Sequence, residues 1–200
     1  MKEREALDVG DLPLHGMGSA SPTWWGTLVF MLLEGSGFGL MIAVYLYLMS
    51  LAPQWPINAP PPALWAGTLV TVLLVASLVP NYLIARWAEA RDLRKVKIGI
   101  LIMTALGIAP LVVRAFEFAT LNISWDTNAY GSTLWTMLGL HTTHVITDLV
   151  DTVVLAAIMF SRHADNPRRY GDIADNALYW NFVVVTWLPI YFCIYWIPRL

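Results

Sequence analysis

One stretch sets the terms for the rest of this chain. Tyr130 to Phe160 is apolar and long enough to cross a bilayer, yet it carries His141, His144, Asp148 and Asp151. Their spacing of three, four and three places all four within an arc of roughly 80° on one helix face. An Asp at mid-membrane costs about 2.5–3.5 kcal/mol on insertion scales. Four ionisable groups on one face therefore require partners, water or a protein interface, and the other segments must supply them.

Those segments are themselves membrane spans. The chain has 200 residues, 58% hydrophobic and 13% charged, about half the charged fraction of a soluble domain. Apolar runs at about 24–49, 63–86, 98–121, 131–160 and 178–197 each reach the roughly 20 residues that span a hydrocarbon core. The short alternating segments of a β-barrel are absent from the sequence. The predicted class is an all-α, polytopic membrane protein: a polar arm over 1–23, then a bundle of five transmembrane helices over 24–200. Pro80 is expected to kink the end of the second span. No cleavable signal is read in Met1–Ala20, which is polar and of mixed charge.

Charge placement orients the bundle. Arg86, Arg91, Arg94, Lys95 and Lys97 crowd the second loop, and Arg162, His163, Arg168 and Arg169 the fourth. The first and third loops hold no Lys or Arg. With Lys2 and Arg4 in the arm, the positive-inside rule predicts a cytoplasmic N-terminus and an outward C-terminus. The second loop can also meet anionic headgroups.

Several chemistries are disfavoured by the residue inventory. The lone Cys193 excludes an internal disulfide or a multi-thiolate metal site. His141-x-x-His144 can in principle ligate a metal, but both histidines share one helix. The other two, His15 and His163, flank the spans, which argues against a bis-histidine haem. The Glu-x-x-His motif of a carboxylate-bridged di-iron site is missing. Interhelical hydrogen bonding is the favoured role of this pair. Phosphate-loop, nucleophile-elbow and dinucleotide motifs are absent, and nothing points to nucleic acid.

Two readings stand side by side for Glu34, His144, Asp148 and Asp151: a proton relay, or a static network in which His144 neutralises Asp148 one turn on. Arg114 and Glu117 are expected to form an ion pair near the outer side. Gly35 and Gly39 form a small-xxx-small pattern that lets helices approach closely. No internal repeat supports an inverted-repeat transporter.

Four segments in order carry a resemblance: Trp24-Trp25-Gly26 leading to Glu34; Arg114-Ala-Phe-Glu117-Phe; Tyr130-Gly-Ser-Thr followed by Gly139-Leu-His141-Thr-Thr-His144-Val-Ile; and Tyr179-Trp180-Asn181-Phe-Val-Val-Val-Thr-Trp187 with Tyr195-Trp196. Together they resemble subunit III of haem–copper oxidases across 24–197. The resemblance implies an accessory subunit in the bacterial inner membrane, with no catalytic residue, metal or cofactor of its own. Haem and copper would belong to catalytic subunit I, with subunit II a further partner. Structural phospholipid and support of proton uptake are implied as well. The five-span pattern resembles the family's shorter form, without the two extra N-terminal helices of the seven-helix form. Asn181 and Val184 stand where the family has His and Asp, whereas Asp148 and Asp151 add acids to the fourth helix. The residues singled out are Glu34, Arg114, Glu117, His141, His144, Asp148 and Asp151 for a buried polar network, and Trp180, Asn181 and Trp187 on the last helix. An accessory protein of a nitric-oxide reductase and a stand-alone proton-coupled transporter are the rival expectations.

Overall fold

A computed structural model describes residues 16–164 and 166–200; most of the polar arm, with Lys2, Arg4 and His15, lies outside them. Five long helices follow a single 3-10 turn: α1 (Pro22–Leu51), α2 (Leu64–Glu89), α3 (Leu93–Ala119), α4 (Ala129–Met159) and α5 (Arg168–Tyr191). The last continues through a π turn, Phe192–Trp196, into a closing 3-10 turn, Ile197–Arg199. All five are long and apolar enough to cross a membrane, and no strand occurs among the described residues.

Local chemistry sets the ends. Pro22 opens α1 at a position where its missing N–H costs nothing. The Asp92 side chain accepts from Lys95 N at 3.1 Å and pairs with its ammonium at 2.9 Å, capping α3. Asn128 caps α4 through Gly131 N at 2.9 Å, and its amide donates to the Ile57 carbonyl, tying the first interhelical loop to the third.

Two spans start earlier than the hydropathy pattern predicts. The third begins at Leu93 rather than 98, because the capped basic turn is already helical. The fifth begins at Arg168 rather than 178. Tyr170, Ile173, Ala177, Trp180, Val184 and Trp187 all point inward at helical spacing, so the polar residues between them ride on the same helix. In α2 the helix runs on through Pro80 to Glu89, past the expected end near 86.

Helices α2, α3, α4 and α5 form a closed ring in which each packs on its two neighbours, and α1 lies outside it in the groove between α4 and α5. In α1 only Phe38 and Tyr45 are buried. Gly35 packs against Phe182, but Gly39 faces open space, so the small-xxx-small pair does not form one contact. Large apolar side chains cover the outside of the bundle, among them Leu32, Val79, Val112 and Val150. Hydrocarbon is the solvent in which such a surface is stable.

Candidate functional site

Inside this apolar shell the polar residues fall into two groups. The first is sealed between α3, α4 and α5. Arg114 and Glu117, one turn apart, are both fully buried and bonded at 2.7 Å. Tyr195 donates to the other oxygen of Glu117 at 2.5 Å, and the guanidinium carbon lies 4.1 Å from the Trp187 ring centre. The second guanidinium nitrogen faces Nδ1 of His141 at 3.2 Å, while Nε2 of His141 faces the Val183 carbonyl at 3.0 Å. Arginine only donates and a carbonyl only accepts. His141 is thereby fixed as the neutral Nε2–H tautomer, with no ring nitrogen left for a ligand.

The second group lies between α1, α4 and α5 and opens to the outside. His144 has one ring nitrogen, Nδ1, on the Leu140 carbonyl at 2.6 Å. That nitrogen must therefore carry hydrogen. Nε2 lies 3.2 Å from Oε1 of Glu34. One proton held between them satisfies both, whichever atom carries it. Tyr179 donates to the second Glu34 oxygen at 2.7 Å. His144 thus pairs with Glu34 from another helix and not with Asp148 four residues on.

Asp148 and Asp151 converge on Asn176 of α5. Its amide nitrogen donates to Asp151 at 3.1 Å and, at a longer 3.4 Å, to Asp148, while its oxygen accepts from Thr152. Asp148 is 2% exposed, whereas Asp151 stands at the edge. Both line a cleft of about 540 Å³ together with Glu34, Thr147, Tyr179 and the acids Asp172 and Asp175. Asp172 pairs with Arg169 at 2.9 Å and Asp175 accepts from Thr23 at 2.8 Å. Phe30, Val154, Leu155 and Ile158 supply apolar walls. Arg169 lines the cleft too, so five carboxyl groups face one guanidinium there. An excess of acids between low-dielectric walls concentrates counter-ions, protons included.

Trp180 and Asn181 belong to neither group, and Trp187 reaches from the first, under Arg114, to α2. They form a seam between α5 and α2: Trp180 donates to Ser77 at 2.7 Å, Trp187 to Thr71 at 2.8 Å, and Asn181 accepts from Asn81 at 2.9 Å. Among the described residues no three His, Cys, Asp or Glu side chains are arranged to hold a metal.

Asn176, Tyr179 and Tyr195 complete the two groups, yet charge alone does not reveal them in the sequence. A later start for the last helix also removes Asn176, Asp172 and Asp175 from it. The inward repeat from Tyr170 is the signal that restores them.

The description "Cytochrome c oxidase subunit III" belongs to the family model that matches residues 24–198. Proteins named cytochrome c oxidase subunit 3 align with most of the chain. That of Thermostichus vulcanus is 28% identical over 176 residues, covering 87% of each protein. The one from Pisaster ochraceus is 28% identical over 203 residues, covering 96% of this chain and 75% of its own. The Synechocystis protein is 27% identical, with 86% and 74% covered.

Proposed function

The chain belongs to the cytochrome c oxidase subunit III family, and from that premise we propose that its open cleft collects and holds protons for the oxidase it serves. It is an accessory subunit of a haem–copper oxidase and a multi-pass membrane protein. Its partners are the catalytic subunits, I and II, which carry the haem and copper. The observation behind the proton reading is the Glu34–His144 contact, Oε1 to Nε2 at 3.2 Å, at the end of a cleft rimmed with carboxylates.

Orientation supports the same reading. The cleft lies near the end of α4 and the start of α5, beside the basic fourth loop, which the positive-inside rule assigns to the cytoplasm. That is the side from which an oxidase draws protons. Residues 24–200 act as one membrane domain with a cytoplasmic arm before it, in a bacterial inner membrane, as the cyanobacterial relatives suggest. An apolar groove lined by Leu28, Met31, Leu32, Gly35 and Phe182 suits the acyl chain of a structural phospholipid.

The test is proton uptake by the assembled oxidase carrying Glu34→Gln or Asp148→Asn. Uptake should slow by up to roughly tenfold, most at alkaline pH where protons are scarce, with an unchanged haem spectrum. An assembled enzyme with wild-type uptake and pumping across the pH range would refute the proposal.

A further inference from the structure

The two polar groups lie in series along α4, His141 in one and His144, Asp148 and Asp151 in the other. From one end the contacts run Asp151–Asn176–Asp148, then Tyr179–Glu34–His144. Beyond a break they resume as His141–Arg114–Glu117–Tyr195. At the opposite end Arg199 donates to the carbonyls of Tyr195 and Pro62. The break falls between His144 and His141, one turn apart on α4, and the ring of Phe38 stands there. Its centre is 4.7 Å from the His144 ring, 6.3 Å from the His141 ring and 6.3 Å from Phe182. Phe38 is 4% exposed.

We infer that Phe38 is the seal of this polar column. It confines water and protons that enter through the cleft to the Glu34–His144 side. The purpose of the seal rests on the proton reading of the cleft, whereas its existence is a statement about water access alone.

Two features make one ring sufficient. His141 is held as a neutral tautomer with both nitrogens engaged, so the far group offers no free acceptor toward the break. Phe38 also sits in the turn Gly35-Ser36-Gly37-Phe38-Gly39, where no other side chain has bulk. The space left by the ring adjoins the Glu34 carboxylate, one helical turn away on α1, whose spare lone pairs can hold water; a void lined by Leu and Phe alone stays dry. At about 30 Å³ per water, an Ala at this position leaves room for two or three, enough to join His144 to the Arg114 group.

The test uses the assembled oxidase. Exchange of the imidazole C2 hydrogen, resolved by tandem mass spectrometry, reports water access at each histidine. In the wild type His144 should exchange at least about tenfold faster than His141. Phe38→Ala should abolish that difference, and in proteoliposomes it should raise passive proton permeability and lower respiratory control. Phe38→Leu should preserve the wild-type behaviour in both assays. Equal exchange at the two histidines in the wild type overturns the inference without any variant. So does an assembled Phe38→Ala oxidase in which His141 stays slow; faster exchange at His141 without added proton permeability would overturn the purpose assigned to the seal. A normal proton-uptake profile in Glu34→Gln beside an opened His141 in Phe38→Ala would sink the cleft reading and leave the seal standing.

Discussion

Removing one member of the Arg114–Glu117–Tyr195 group strands the others where water does not reach. Breaking a buried ion pair from one side costs about 3–5 kcal/mol, mostly the penalty on the charge left behind. Glu117→Leu should therefore depress the thermal midpoint and the yield of assembled oxidase sharply. Arg114→Leu combined with Glu117→Leu should cost less than the two single losses added together. Simple additivity in a double-mutant cycle would show that the pair is not coupled. Tyr195→Phe deletes one hydrogen bond to a charged acceptor, about 1.5–3 kcal/mol. At the surface, the hydrogen bond and ammonium of Lys95 hold the Asp92 carboxyl below the usual carboxylate range. Because the folded value is the lower one, its stabilisation is present above the unfolded value near 4 and lost as pH falls through the folded value. Asp92→Ala should thus lower the melting temperature at pH 7 and make no difference at strongly acid pH.

The seam of α2 with α5 shows what one element demands of another. A methyl group added at Gly67 lands on the Tyr195 ring, so Gly67→Ala must displace the side chain that satisfies Glu117. Overpacking of this kind costs about 1–3 kcal/mol. Gly37 has open space around it. There the same substitution should be neutral or gain about 0.5–1 kcal/mol, because Gly in mid-helix is a poor choice. Melting of the two variants in one detergent compares them directly; equal effects would mean that the α2–α5 contact is not tight. The sequence shows the charged members of each element well, since Arg114, Glu117, Glu34 and the acids of α4 stand out against apolar runs. It shows their partners poorly. Asn176, Tyr179 and Tyr195 are ordinary residues in aromatic-rich helices, and only the packing of α5 against α1 and α4, and of Tyr195 in the π turn against Glu117 of α3, gives them roles. The choice of Glu34 over Asp148 for His144 is likewise a tertiary outcome, since local spacing favours the intrahelical pair.

Hydropathy gives five spans but not which helix neighbours which, and the arrangement of the whole molecule depends on adjacency. A closed ring of α2–α5 leaves α1 attached from one side, through Thr23 to Asp175, Glu34 to His144 and Tyr179, Phe38 to His144, and Tyr45 to the loop residue Trp55, whose ring meets Tyr130 of α4. Yet α1 carries Glu34 and Phe38, the two residues on which the proton reading and the seal depend. Helices with few buried contacts open at lower free energy than the rest of a fold. In detergent, amide hydrogen exchange of the isolated chain should therefore be fastest in α1 and slowest in the α2–α5 ring. Addition of the catalytic subunits should slow α1 more than the ring if they cover its bare face. Glu34→Gln, which removes a charge from the attachment, should speed exchange in α1 alone. Uniform exchange across all five helices would mean that α1 belongs to the ring's cooperative unit. The cleft and the seal would then be fixed features of this chain, with no dependence on the rest of the oxidase.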